Sequence, residues 1–337
     1  MKKLYGVSRE DLAQAAELLR KGEIVALPTE TVYGLACLAL DANVVSKVFA
    51  TKNRPQNDPL IVHVNDLSEA REVALVNERA VSLAEAFWPG PLTFVLPKTD
   101  RVPDIVTSGL PTVAVRSPAH PVFRKILSLV GAPLAAPSAN PFGKVSPTDA
   151  RHISESFGPD HPPVVDGGPT EVGIESTVLD LSCSTIRILR PGPVSPAEIE
   201  GILGTKPVLL GKTNDTQTPG NTQSPGLLPR HYSPTSPLRI FPDLPTLLGF
   251  LEKEEPPTPE TCLLVHAPLE EDEFLPSGLR VLPLSKTGEP NEIAHNLYAR
   301  LREADRRSPP LILCSLLPEE GIARAINDRL RRAAYRE

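Results

Sequence analysis

Apolar side chains fall at Leu12, Ala15, Ala16, Leu18 and Leu19, a helical spacing that stops at Gly22. Ser8, followed three residues later by Asp11, resembles a capping box, and a first helix is predicted over residues 9–21. Apolar runs at 23–27, 60–64, 92–97, 112–116, 133–137, 163–166, 176–181 and 185–190 read as strands. Helical patterns lie between them near 41–51, 68–87, 120–130, 148–157 and 196–203. This alternation predicts a mixed α/β domain over residues 1–208.

Periodicity is then lost. Residues 211–237 are almost purely polar and turn-forming at their start, and a linker is predicted over 209–237. Strands at 238–241, 261–267, 280–284 and 311–317 follow, alternating with helices near 244–254, 290–307 and 319–335. The pattern predicts a second, smaller Rossmann-like α/β domain over 238–337.

Composition narrows the function. The 35 Lys plus Arg against 41 Asp plus Glu leave a net charge of −6, which argues against a protein held to nucleic acid by general electrostatics. Neither domain has an excess of cations. Arg324, Arg329, Arg331, Arg332 and Arg336 on the last helix read as a solvated face more readily than as an RNA patch. No run approaches a membrane span and no secretory segment is visible, so a cytoplasmic protein is expected. Cys37, Cys183, Cys262 and Cys314 lie far apart without a C-x-x-C pair, and buried thiols are expected. Most of the 39 prolines punctuate strand ends, where a fixed φ delivers the following residues into a rigid turn.

Gly211-Lys212-Thr213 imitates the end of a phosphate loop, but the glycine required five residues earlier is Lys206. The usual dinucleotide, metalloprotease, nucleophile-elbow and zinc patterns are absent. What remains is a set of polar clusters at strand ends. Thr29-Glu30-Thr31 follows Leu27-Pro28 and suits a strand-to-helix cap as well as a site. Lys52, Arg54, Asn57 and Asp58 stand between prolines, either a phosphate-binding turn or an exposed salt-bridging one. His63, in phase with Ile61, has the pattern of a satisfied core histidine. Arg116 closes an apolar strand and needs a carboxylate, from the protein or from a substrate. Residues 135–148 form a loop of small side chains that lets backbone donors approach a ligand, with Ser146 or Thr148 also suited to cap the next helix. Glu175-Ser176-Thr177 and Arg190 add a polar strand start and a strand-end cation.

At these residues the chain resembles the YrdC-like family of threonylcarbamoyl-AMP synthases, in its longer two-domain form. The motifs are PTETVYGL (28–35), KNRP (52–55), NDPLIVHV (57–64), WPGPLT (88–93), VAVRSP (113–118), APSAN (136–140), ESTVLDL (175–181) and RPGP (190–193). Ser224-Pro225-Gly226 and His231-Tyr232-Ser233-Pro234 resemble the segment that folds over the active site in long members, with Leu227-Leu228-Pro229-Arg230 departing from the more polar pattern.

The resemblance implies a twisted mixed-sheet domain with a positively lined cavity, followed by the Rossmann-like domain. It implies ATP, L-threonine and bicarbonate as substrates, Mg²⁺ with the ATP, and a product used to modify the adenosine next to the tRNA anticodon. Carried over position by position, threonine binding falls to Thr31, His63, Arg116, Ala136 and Ser176. ATP binding falls to Lys52, Arg54, Asp58, Thr112, Ser138, Asn140, Ser146, Arg190 and Tyr232. A downstream threonylcarbamoyl transferase complex is the implied partner, with tRNA contact weak or indirect. The alternatives are carbamoyl transfer in hydrogenase maturation, whose zinc-type cysteine pairs this chain lacks, and an RNA-binding or ribosome-associated module, which the acidic balance opposes.

Overall fold

A computed structural model describes residues 4–209, 231–253, 260–269, 275–276 and 278–335. The chain divides into a first unit of Met1–Phe142, Ser146–Glu171 and Glu175–Leu227, and a second of Gly143–Val145, Val172–Ile174 and Leu228–Glu337. Most of the predicted linker, residues 210–230, lies outside the described residues, including Ser224-Pro225-Gly226.

The strands of the first unit are β1 (Leu4–Tyr5), β2 (Val25–Pro28), β3 (Tyr33–Leu38), β4 (Ile61–His63), β5 (Leu92–Pro97), β6 (Thr112–Arg116), β7 (Leu134–Ala135), β8 (Val164–Val165), β9 (Thr177–Asp180), β10 (Arg187–Arg190) and β11 (Val208–Leu209). Among the described residues they form one mixed sheet in the order β1-β8-β2-β3-β7-β4-β6-β5-β9-β10-β11. The register sets His63 of β4 beside Arg116 of β6 in a parallel pair, and Phe94 of β5 beside Val115 in an antiparallel one.

Both faces of this sheet are covered, which is why its strands read as continuous apolar runs. Leu35, Cys37, Val62 and Phe94 point to one core with Val45, Val48 and Leu83. Val25, Leu27, Ala36 and Leu134 point to another with Leu19, Phe123 and Ile126. The period of two is visible in Leu35, Ala36 and Cys37, which alternate between the cores.

The first helix spans Arg9–Arg20, and Ser8 Oγ accepts the Asp11 amide at 3.1 Å. The single helix predicted over 68–87 is instead two, Leu67–Val73 and Glu78–Phe87. Tertiary pairing explains the break: Ala74 bridges Lys98, Leu75 N–H donates to the Pro97 carbonyl at 2.8 Å, and Asn77 starts the second helix by capping Ala80. The strand-to-helix cap considered for Thr29-Glu30-Thr31 is a strand-to-strand turn, since β2 and β3 pair antiparallel with Pro28 opposite Tyr33.

In the second unit β12 (Leu238–Phe241), β13 (Cys262–Val265), β14 (Arg280–Pro283) and β15 (Ile312–Ser315) form a parallel sheet in the order β12-β15-β13-β14. Helix Leu244–Lys253 connects β12 to β13 and Pro290–Asp305 connects β14 to β15, as parallel pairing requires of its crossovers, Ala323–Ala334 follows β15, and among the described residues no helix falls between β13 and β14.

Two surface expectations are corrected here. Arg329 does not belong to a solvated face: it is 1% exposed, pairs with Asp328 at 2.7 Å and lies over the Tyr232 ring at 5.3 Å. A charged residue in an amphipathic pattern is read as outward-facing, and only the tertiary position of Tyr232 shows why this one turns in. Cys183 is exposed, unlike the other three cysteines, because it sits in the turn between β9 and β10.

Candidate active site

The turn between β2 and β3 carries Thr29, Glu30 and Thr31, all buried. Thr29 Oγ1 donates to the Val32 carbonyl at 2.6 Å and accepts the Thr31 amide at 3.1 Å, which closes the turn from within. The Thr31 hydroxyl, 2.8 Å from that of Thr29, also accepts from Arg116 Nη1 at 3.0 Å. Arg116 Nε donates to the Gly90 carbonyl at 3.1 Å, and Nη2 stands 2.6 Å from Glu30 Oε1. Both alternatives for Arg116 were open from the sequence; in the structure its carboxylate partner is the protein's own Glu30.

His63 lies beside Arg116 by register, is 2% exposed and packs its ring 5.0 Å from that of Phe123. Its Nδ1 has no hydrogen-bond partner among the described residues. Burial, with the neighbouring Arg116 charge adding to it, pushes the imidazole down to about 3. His63 is therefore neutral near pH 7.

Between pH 6.5 and about 3 the unfolded chain holds a proton on His63 that the folded chain does not, so stability rises with pH across that window and falls as the pH is lowered through it. Denaturant unfolding of the wild type and of His63→Asn at pH 4, 5, 6 and 7 should differ by a slope of about 1 kcal/mol per pH unit. Parallel slopes would mean that His63 protonates freely in the fold.

A second cluster sits at the start of β9. Ser176 Oγ lies 2.8 Å from Thr93 Oγ1, while Arg190 donates to the Ser176 carbonyl from Nε at 3.1 Å and from Nη2 at 3.0 Å. Arg190 Nη2 also donates to Ser176 Oγ at 3.1 Å. Gly192 makes room for this approach: a Cβ there would stand 2.2 Å from the Thr177 nitrogen and 2.6 Å from the Ser176 carbonyl carbon. The Thr177 amide donates to the Pro91 carbonyl at 3.0 Å, next to the Gly90 that holds Arg116.

The loop after β7 makes the third cluster. Lys52, 1% exposed, donates from Nζ to the carbonyls of Ser138 and Asn140. Burial, assisted by the Arg54 charge, lowers its pKa well below that of a free lysine. Ser138 bridges Gly34, the Ala139 amide donates to the Tyr33 carbonyl at 2.8 Å, and the Tyr33 amide donates to the Pro147 carbonyl at 2.8 Å. A Cβ on Gly34 would come within 3.0 Å of the Ala136 Cβ. Ser146 Oγ donates to Glu175 Oε1 at 2.6 Å, which ties this loop to the residue before Ser176.

Arg54 and Asp58 form a buried ion pair at 2.8 Å, and Arg54 also donates to the carbonyls of Asp58 at 3.0 Å and Pro59 at 2.8 Å. The exposed salt-bridging turn is thereby corrected: Arg54 and Asp58 pair within a buried turn. Asn140 Nδ2 donates to the Pro141 carbonyl at 2.8 Å.

The expected residues therefore fall into groups. Thr31, His63 and Arg116 meet at one place, and hydrogen bonds through Gly90, Pro91 and Thr177 lead to Ser176 and Arg190. Ala136, Ser138, Asn140, Ser146 and Lys52 belong to the loop laced against Tyr33 and Gly34, with the Ala136 amide donating to the Ile61 carbonyl at 3.2 Å. Thr112 stands apart: it opens β6 opposite Pro97, four residues or about 13 Å of strand from Arg116. Tyr232 belongs to the second unit, buried against Tyr298 at 5.6 Å with its backbone at φ 62°.

Glu30, Thr93, Glu175 and the Gly90 carbonyl are polar members of these clusters that the expected set omitted. Thr93 had a signal, a hydroxyl between Leu92 and Phe94 on an otherwise apolar strand. Glu30 had one too, a carboxylate within a turn of hydroxyls. The Gly90 carbonyl had none, because a backbone acceptor has no side-chain identity.

Comparison with known proteins adds three findings. Residues 17–192 match a family model described as telomere recombination, and residues 194–335 match one described as threonylcarbamoyl-AMP synthase, C-terminal domain. The threonylcarbamoyl-AMP synthase of Pyrococcus abyssi is 39% identical over 332 residues, covering 95% of this chain and 93% of its own length, and that of Bacillus subtilis is 38% identical over 325 residues, covering 96% and 92%. A solved structure of P. abyssi Sua5 complexed with L-threonine superposes with a TM-score of 0.87 at 37% identity, covering 98% of this chain and 97% of that one.

Proposed function

The chain belongs to the threonylcarbamoyl-AMP synthase family, and from that premise we propose that it joins L-threonine, bicarbonate and ATP into threonylcarbamoyl-AMP and pyrophosphate, with the three buried clusters as its site. Threonine's amine adds to the carbon of bicarbonate, and water is lost to give a carbamate. A carbamate oxygen then attacks the α-phosphorus of ATP, and pyrophosphate leaves. Two anions must be brought together in line, so the work is positioning and charge compensation and needs no covalent nucleophile.

The observation that carries this reading is the meeting of Thr31, His63 and Arg116. It offers a cationic fork for a carboxylate, a hydroxyl, and a neutral imidazole whose Nδ1 is unspent. Arg116 Nη2 carries two hydrogens, of which the 2.6 Å contact with Glu30 engages at most one, and the other is left for the threonine carboxylate. Ala136 and Ser176 complete the amino-acid end, while Arg54, Asp58, Ser138, Ser146 and Arg190 serve the nucleotide, Lys52 and Asn140 by shaping the 136–140 loop.

Mg²⁺ is expected with the ATP. The carboxylates of the clusters are engaged, Glu30 with Arg116, Asp58 with Arg54 and Glu175 with Ser146. No group of three or more His, Cys, Asp or Glu converges among the described residues. These residues do not make a ligand set for the ion. Among the described residues no helix is long and apolar enough to cross a membrane. A cytoplasmic setting, a transferase that takes the adenylate to tRNA, and indirect tRNA contact belong to the same proposal.

The test is to incubate the purified protein with ATP, Mg²⁺, bicarbonate and L-threonine, follow pyrophosphate release, and look by rapid mass spectrometry for the adenylate. It should form only when threonine and bicarbonate are both present. Pyrophosphate release that ignores threonine would overturn the substrate assignment.

A further inference from the structure

We propose that Glu30 is a positioning residue for threonine, holding the Arg116 guanidinium by charge so that an Nη2 hydrogen faces the amino-acid carboxylate. The inference rests on the assignment of that carboxylate to Arg116. Arg116 and Glu30 have side chains only 4% and 5% exposed, so an unpaired guanidinium there would be strongly disfavoured. Their closest atoms are 2.6 Å apart, yet neither Arg116 Nη2 nor Glu30 Oε1 has an aligned hydrogen-bond partner. Nη2 carries two hydrogens and a single carboxylate oxygen at this distance engages at most one of them, so donor capacity remains on Nη2.

Glu30 is itself fixed. Its Oε2 accepts the Ala119 amide at 3.1 Å, three residues beyond Arg116 on the same chain. Arg116 is held at its other two nitrogens by the Gly90 carbonyl and the Thr31 hydroxyl. Three protein contacts on three nitrogens define the plane of the fork before any ligand arrives. A carboxylate that swung out to admit substrate would not need a backbone amide behind it, whereas a fixed counter-charge would. The residue acts through Arg116 and is not assigned contact with the reacting atoms.

The test uses the full-length protein as wild type, Glu30→Gln, Arg116→Lys and the double variant, with pyrophosphate release measured against threonine at saturating ATP and then against ATP at saturating threonine. Glutamine keeps the shape and the acceptor toward Ala119 but removes the charge. Glu30→Gln should raise the threonine KM by about tenfold, the size of one lost charge-assisted contact, with kcat and the ATP KM within about twofold of wild type. The double variant should match Arg116→Lys alone, because Glu30 acts only through Arg116.

A threonine KM raised by Arg116→Lys but unmoved by Glu30→Gln would overturn the inference and leave the site assignment standing. A threonine KM unmoved by Arg116→Lys would overturn the site assignment itself. Equal losses toward ATP and threonine with a lowered Tm would mark Glu30 as a general stabiliser and overturn the positioning role. If Glu30→Gln does not fold, Glu30→Asp keeps the charge but withdraws it by one methylene; a severalfold rise in threonine KM supports the inference and no change overturns it.

Discussion

Arg116→Ala should require threonine at concentrations on the order of a hundredfold higher, the cost of losing one partner of a buried charge-paired contact, with a much smaller change in the ATP requirement. Truncation does two things at once. It removes the fork that would take the substrate carboxylate, and it strands Glu30, 4% exposed, without its cation. Breaking a buried pair from one side costs about 3–5 kcal/mol, so the denaturant midpoint should fall as well. The two losses separate when thermal or chemical unfolding is measured on the same preparation as the threonine titration. A large stability loss with threonine affinity unchanged would leave Arg116 as a structural residue and place the amino-acid carboxylate elsewhere.

Lys52→Met tests the loop instead of the fork. Methionine matches the length of lysine without a donor, so the Ser138 and Asn140 carbonyls lose the ammonium that gathers them. Leaving buried acceptors unmade costs about 1–3 kcal/mol each, but the variant also escapes the burial of a charge, and the net destabilisation should be only about 1–2 kcal/mol. Function should suffer more than stability. On the proposed assignment Ala136 serves the amino-acid end and Ser138 the nucleotide, so kcat/KM should fall by on the order of tenfold toward both substrates when the loop loosens. A loss confined to ATP would favour direct phosphate contact by Lys52 over its role as a clamp.

Much of this was legible in the sequence, and the parts that were not have a common cause. Strands with covered faces gave continuous apolar runs, so β4, β5, β6 and β9 were located from hydrophobicity alone. β3 was missed because its first residues were read as the tail of a functional turn, and nothing local says that Tyr33 pairs with Pro28. The break at Ala74 was invisible for the same reason, since the bond that ends the helix comes from Pro97. In the site, the residue types could be read along the chain and their partners could not. A sequence shows that Arg116 needs a carboxylate, but only the fold shows that Glu30, 86 positions earlier, stands 2.6 Å away. The same holds for Lys52, whose type suggests phosphate while its burial places it on two carbonyls. Arg329 turned inward because Tyr232 lies beneath it, a pairing across almost a hundred residues that helical periodicity does not carry.

The way these cations are satisfied bears on how substrates arrive. A cleft lined with bare lysines and arginines draws anions from several ångströms away, and its capture rate falls steeply with ionic strength. Here Arg116 faces Glu30, Arg54 faces Asp58, Lys52 lies against carbonyls, and Arg190 is folded over the Ser176 backbone. In the Arg116–Glu30 and Arg54–Asp58 pairs charge and counter-charge cancel beyond a few ångströms, so the field that reaches bulk solvent from these two pairs is that of dipoles, which falls off faster than that of ions. Those two pairs would then add little to the capture of triphosphate from a distance, and what they contribute to discrimination would begin only after contact is made.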